Sequence, residues 1–558
     1  MRKAAAALLL LTAACAGGDN TSPALGGGTL VIATGGDPNS LLPPLVGTTQ
    51  GRQVTDLVYD RLASLGDSLN TLGDGGFIPQ LAQSWTWAHD SLSIAFHLNP
   101  RAKWHDGVPV TSSDVRFTLG AYRDSSLQST AAALISSIDS VSAPDSVTAV
   151  VWFHSRAPEQ FYNATDQMSI IPEHIWKKIP IASWRSSDQA NHPIGSGQFR
   201  FASWKQGESV TLVADTGNYR GRPKLDRIIW SIAPDFNAAL ARFLGGETDF
   251  FEAIRADAVA QAQSNPNLKL VAFQGIDYSF LQFNLRDPRN PAKPNRLFAD
   301  RELRRALTMA VDRNSIVRSV YDSLAEPALA GSLRAYPTAD RSVPPIPFDI
   351  AAAGAKLDSL GWRDSNGDSI REKNGHDLAF NILVPSSSKA RTRMAVLIQE
   401  QLRRVGVTVG IEPVEFPVFS DRSDKSDYDA EINSIHADPS PSGARQDWAT
   451  AGIKGGNNTG SYSNPVFDAL VDSATAAYDP AARNTLFRKA YRVINDDAPA
   501  IWLAEPKAMV GVQRRIHVTG LRPDAWWQHI ADWWIPAKER IARDASGAVT
   551  TDPAKKNP

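Results

Sequence analysis

The sequence predicts an α/β protein built from more than one domain, and three observations carry that reading. At 558 residues the chain is too long for a single hydrophobic core. Short runs rich in β-branched and aromatic residues alternate with stretches whose apolar residues recur every three or four positions. In the second half one strand-like run, one helical run and another strand-like run follow one another directly. That order defines a parallel βαβ unit.

The elements follow in chain order. Residues 29–33 (TLVIA) read as a first strand ending in the Gly35-Gly36-Asp37-Pro38 turn. Val54, Leu57, Val58 and Leu62 give residues 53–62 helical spacing. Residues 93–98 alternate, with Ile94, Phe96 and Leu98 on one face, and residues 147–153 form another β-rich run. Residues 197–212 hold two strand-like segments around Lys205-Gln206-Gly207 and predict a hairpin. Residues 268–273 form a further strand, a candidate for crossing between lobes. Asp300 is placed to cap a helix through Leu303, Ala306, Leu307 and Ala310. Residues 381–384, 391–405 and 407–411 supply the strand, helix and strand of the βαβ unit. Residues 469–494 look helical in two pieces, broken near Asp479-Pro480. No fixed-period repeat is present.

The N-terminus has the layout of a secretory signal. Arg2 and Lys3 precede an apolar run over residues 4–11, then the small residues Thr12, Ala13 and Ala14. The apolar core is too short to span a bilayer as a helix. Cys15 is the single cysteine, so an internal disulfide is impossible. Its setting resembles the lipobox of bacterial lipoproteins, with Thr12 where Leu is usual. The resemblance implies cleavage before Cys15, acylation of its thiol and a membrane tether. The Gly-rich segment that follows, up to residue 28, reads as a flexible leash.

Composition and motifs narrow the function. Lys plus Arg number 58 against 59 Asp plus Glu, a balance unlike the basic excess of nucleic-acid binders. The ten histidines show no paired-ligand spacing, and no second cysteine exists for a zinc site, so neither metal nor cofactor is expected. Gly-x-Ser-x-Gly and the phosphate-binding loop are absent. Gly195-Ser196-Gly197 lies between strands, not at a strand-to-helix elbow. Asp364-Ser-Asn366-Gly-Asp368 opens like a calcium loop, but Ser369 and Gly375 stand where an EF-hand needs Gly and Glu, which favours a polar turn. No catalytic residue is assigned.

Several segments in chain order resemble the oligopeptide/dipeptide-type solute-binding proteins, the extracellular family 5 components of bacterial ABC importers. FHLNPRAKWHDGVPVTSSDVRF (residues 96–117) has the family's strand, Trp-x-Asp-Gly turn, Pro-x-Thr and Asp-Val entering a helix. PIGSGQFRFASWKQGE (193–208) follows, then Asn218-Tyr219 with Pro223 to Asp226 and Phe283-Asn284. LFADRELRRALTMAVDR (297–313), Leu360-Gly361-Trp362, residues 391–411 and residues 464–499 complete the series. The resemblance spans about residues 29–536. It implies an α/β, two-lobed periplasmic-binding-protein fold (type II, large peptide-binding class) with an extra subdomain inserted in lobe I. The expected division is signal 1–14, leash 15–28, lobe I in parts 29–56, 191–275 and 500–540, the inserted subdomain 57–190, lobe II 276–499, and a tail 541–558.

The same resemblance implies a non-enzymatic function, the capture of a peptide between lobes and its delivery to ABC permease subunits by a monomeric, membrane-tethered, extracytoplasmic lipoprotein. In peptide-binding members an Asp of the second lobe, three residues after a Trp, pairs with the ligand's α-amine. Counting from Tyr428-Asp429 places that Asp at Asp438, with Ile435 in the Trp position. A turn role for Asp438 in Asp-Pro-Ser-Pro-Ser-Gly is the competing reading. Asp37, Asn39, Gly195, Ser196, Gly197 and Asn284 correspond to segments near the cleft, and Trp448 is a candidate indole wall or core residue. The Ile435 departure keeps nickel chelates, opines and saccharides open as ligands of the same scaffold. A secreted hydrolase and a surface sensor or adhesin are the alternatives of other classes.

Overall fold

The computed structural model describes residues 27–339, 341–343 and 345–545. Cys15, the signal and most of the leash lie outside the described residues. The chain builds two large sheets, each the centre of one lobe. The first has seven strands in the order Leu268–Phe273, Ala508–Gln513, Phe250–Phe251, Thr29–Thr34, Arg227–Ile232, Ser209–Ala214 and Phe199–Lys205. Thr29–Thr34 pairs in parallel with Arg227–Ile232 and is buried along its whole length, as its apolar run requires. Ser209–Ala214 and Phe199–Lys205 form the expected hairpin.

The second sheet has six strands in the order Ala325–Glu326, Ala500–Pro506, Asp277–Phe283, Ala430–His436, Ala379–Pro385 and Thr408–Val414. The βαβ unit is present, with Ala379–Pro385 parallel to Thr408–Val414 and helix Lys389–Arg403 between them. Alternation gives this sheet two apolar faces. Ile501 and Leu503 join a core with Met394, Ile398 and Leu402 of that helix. Ala500 and Trp502 face the opposite way, toward Phe467 and Phe487 of helices Pro465–Ala476 and Pro480–Asp497. Those two helices break at Asp479-Pro480, where the Asp479 side chain caps the second.

The chain passes between the sheets at residues 274–276 and again at Lys507. The strand Ala500–Pro506 pairs with Asp277–Phe283 in the second sheet, so the return to the first lobe lies at Lys507 and not at residue 500 as expected. The reason is strand length: one extended run, interrupted only at Lys507, serves both sheets. The two passages lie against each other, and a Cβ at Gly275 would collide with the Pro506 carbonyl.

A four-stranded sheet, Ala82–Trp87, Ser93–Leu98, Thr148–Phe153 and Ile138–Ser142, carries the segment expected as an inserted subdomain. Its Phe96, Val151 and Phe161 share one apolar core with Leu30, Ile32 and Trp230 of the first lobe. It is therefore packed as part of that lobe. Helix Ser112–Arg123 enters this region through a capping box, Thr111 with Asp114.

Candidate functional site

The first-lobe wall of the cleft begins with helix Thr49–Val58. The Thr48 side chain caps it, accepting from the Gly51 N–H at 3.2 Å, so the helix starts earlier than apolar spacing alone suggested. Its C-terminal end is fixed by Gly195-Ser196-Gly197. The Gly197 N–H donates to the Val58 carbonyl at 2.8 Å, and a Cβ at Gly195 or Gly197 would strike the Val58 or Leu57 carbonyl. The helix presents Arg52 and Asp56 to a cavity of about 220 Å³ that Arg61, Tyr162, Asp166 and, from the other lobe, Asp438 also line. The charges on this wall pair internally. Arg61 donates to Asp56 Oδ1 at 2.8 Å and to the Asp166 carbonyl at 2.7 Å, while Arg52 lies 3.5 Å from Asp56 Oδ2.

The second-lobe wall surrounds a cavity of about 150 Å³. It is lined by Tyr278, Ser332, Tyr336, Asp447 and Tyr491 among others, and again by Asp438. Among the described residues Asp438 is the one residue shared by the two cavities. It follows the end of strand Ala430–His436 and stands where the lobes touch. Tyr162 of the first lobe donates to Asp438 Oδ1 at 3.1 Å, and the Ser440 N–H donates to the same oxygen at 2.9 Å. Nearby, Ser440 and Ser442 donate to Glu159 of the first lobe at 2.9 and 2.6 Å. Asp438 is exposed, with protein of both lobes around it. Burial pushes its carboxyl above the ordinary aspartate value, opposed by the Ser440 N–H and by the Arg52 charge. Tyr162 is pushed well above the ordinary phenol by burial, then by Asp166 and Asp438, so it stays a donor.

The other residues singled out from the sequence are engaged in local structure. Asp37 accepts from Trp204 Nε1 at 2.8 Å and from the Gly207 N–H at 2.6 Å, which ties the first strand's turn to the hairpin. Asn39 accepts from the N–H groups of Gly47 and Thr48 at 2.9 and 3.1 Å and donates to the Leu45 carbonyl at 2.9 Å. Ser196 is buried, its hydroxyl 3.3 Å from the Asp60 N–H. Asn284 is also buried and donates to the carbonyls of Ser426 and Tyr428 at 2.8 and 3.0 Å. Trp448 packs against Phe280 and Trp502 and donates to Tyr278 Oη at 3.0 Å, which makes it core. None of these lines either cavity; they position backbone, as their turn and strand-end settings permit. The Asp364 carboxylate accepts from the N–H groups of Gly367 and Ser369, at 2.7 and 3.0 Å, and closes an exposed turn.

Arg52, Tyr162, Tyr336 and Asp447 were not visible as site residues in the sequence, because no local spacing relates them. Asp447 stands beside the singled-out Trp448, and an acid next to a buried indole in a helix was the one signal available. Behind the second-lobe wall, Glu431 on the strand before Asp438 is fully buried. Its Oε1 accepts from Ser423 and Asn433, each at 3.1 Å, and its Oε2 is without a partner. Burial raises it to about 7.

Two lobes joined by paired passages, with a shared acid between them, define a protein that encloses a solute. Residues 76–457 match the family described as bacterial extracellular solute-binding proteins, family 5 (middle). The chain belongs to this family of extracytoplasmic substrate-binding components of ABC transporters, which are not enzymes as a class. It is 28% identical over 512 residues to the oligopeptide-binding protein AppA of Bacillus subtilis, covering 91% of each chain. The structure of AppA from Bacillus subtilis in complex with a nonapeptide superposes with a TM-score of 0.72 at 27% identity, covering 92% of this chain and 99% of that one. NikZ from Campylobacter jejuni in complex with Ni(L-His) shares the fold, with a TM-score of 0.73 at 22% identity over 91% of this chain and 99% of that one. Among the described residues no helix is long and apolar enough to cross a membrane.

Proposed function

We propose that this protein captures a peptide between its lobes, holds the ligand's amino end at Asp438, and hands it to an ABC permease while tethered through an acylated Cys15. The observation that carries the reading is the placement of Asp438. It is a raised carboxylate shared by both cavities, and its side chain accepts only from a phenol and an N–H. Such a group gains from a cation brought by the ligand, since an approaching ammonium favours its charged form and offsets the desolvation that raises it. The likeness to a relative described as oligopeptide-binding supports a peptide over the other solutes.

Native mass spectrometry of the isolated protein, followed by release and sequencing of what it carries, tests the ligand class. Peptides released unaltered support the reading, whereas a nickel chelate, an opine or a sugar in their place overturns it. Cleaved products from an added peptide library would instead establish a hydrolase. Cys15→Ser is expected to move the protein from the membrane to the soluble fraction, and continued attachment would refute the tether.

A further inference from the structure

The cavity of the second lobe differs from a general side-chain space. It lies beyond Asp438 and holds about 150 Å³, the volume of roughly five water molecules or of one long unbranched side chain. Three tyrosines, Tyr278, Tyr336 and Tyr491, form its walls, and Asp447 lies in it with an exposure of 8%. No lysine or arginine is among the described residues that line it. The cation nearest in kind, His436, is held by Asp277 at 3.0 Å.

Asp447 has only neutral partners. Asn457 Nδ2 donates to its Oδ1 at 2.8 Å, and the Tyr278 hydroxyl, which accepts from Trp448, lies close enough to help hold the Asp447 carboxyl down against burial. The second observation is independent of the acid. Ser332, 5% exposed and lining the same cavity, has a buried hydroxyl with no hydrogen-bond partner. A buried hydroxyl left alone is costly, and a donor or acceptor entering this cavity from outside the chain would satisfy it.

Resting on the peptide reading above, we propose that this cavity is a selectivity pocket for a cationic side chain near the ligand's amino end. Asp447 is its counter-ion, Ser332 a hydrogen-bond partner, and the tyrosines an aromatic sleeve. Aromatic faces attract ammonium and guanidinium groups, and a carboxylate at the end of such a sleeve fixes the charge. An anionic side chain would meet two carboxylates, Asp438 and Asp447, in a lining without lysine or arginine. Burial holds Asp447 up at about 6, and an entering ammonium reverses that penalty.

Isothermal titration of the full-length protein with one alanine-based pentapeptide series tests this. Lysine, norleucine, glutamine and glutamate are placed in turn at each of the first three positions. At one position lysine is expected to bind about tenfold or more tighter than norleucine, and glutamate about tenfold weaker than glutamine. In Asp447→Asn the lysine advantage should vanish while the norleucine peptide binds within about twofold of wild type. Equal affinity for lysine and norleucine at all three positions overturns the pocket and leaves the peptide reading standing. Failure of every peptide to bind overturns that reading, and the pocket with it. The comparison of ligands on the unaltered protein decides the matter even if the variant does not fold.

Discussion

The two walls of the cleft handle charge in opposite ways. On the first-lobe side Arg52, Arg61 and Asp56 satisfy one another, and Trp527 Nε1 adds a further bond to Asp56 at 3.0 Å. On the second-lobe side Asp438, Asp447 and Glu431 are all raised by burial, and their direct partners are hydroxyls, amides and N–H groups. A wall whose charges are already paired gives shape and little selectivity. A wall of acids that form no direct ion pair leaves attraction for the ligand to complete. Under the proposed function, recognition of the ligand's charge falls to the lobe that supplies Asp438.

The contrast can be broken most directly at Asp438. Asp438→Ala is expected to weaken an amine-bearing peptide by about 2–5 kcal/mol, with the melting temperature nearly unchanged. The N-acetylated peptide should bind the variant and wild type alike in titration calorimetry; equal losses for both peptides would remove Asp438 from amine recognition. The same site predicts a pH dependence. Because the free carboxyl titrates above the ordinary aspartate value, amine affinity should be flat only between that raised value and about pH 8, where the ligand's own α-amine begins to lose its proton. It should fall as the pH drops through that raised value, sooner than an exposed aspartate would allow. Arg52, Asp166 and Tyr162 face the group and set where the fall occurs.

Glu431 gives the next largest effect, on stability. Its folded value near 7 exceeds the ordinary 4.5, so the native state binds more protons between those limits. Stability is then present at low pH and lost as the pH rises through that window, by up to about 3 kcal/mol. Glu431→Gln should flatten the melting temperature between pH 5 and pH 8, and a slope unchanged from wild type would contradict the assignment.

Smaller effects belong to the first-lobe wall. Gly195→Ala should cost about 1–3 kcal/mol in denaturant unfolding by pushing on the end of helix Thr49–Val58. Arg52→Ala, which removes the less tightly held of the paired arginines, should change peptide affinity by less than about threefold. A larger loss would show that this wall also binds charge.

Much of the architecture was legible because its signals are local. Alternation marked residues 93–98, Asp479-Pro480 marked a helix break, and the βαβ unit stood in continuous sequence. What escaped depended on chain brought from elsewhere. The strand Ala500–Pro506 looks like any apolar run until its pairing with Asp277–Phe283 assigns it to the second lobe. The site shows the same division. Asp438 was reached through family spacing, whereas Asp37, Asn39 and Asn284 resembled ligand-facing polar groups yet bond to their own backbone surroundings. Nothing in the sequence near Tyr162 or Asp447 tells that both will face the cleft.

The return passage at Lys507 also bears on how the molecule is made. Strand Ala508–Gln513 lies between Phe250–Phe251 and Leu268–Phe273, so it joins two strands that otherwise do not touch. Each sheet therefore waits for a strand of the same late run, Ala500–Pro506 for the second lobe and Ala508–Gln513 for the first. Both half-built sheets keep open edges until that run arrives, and long-range closure of this kind is slow. Termination before residue 500 should leave both sheets unfinished.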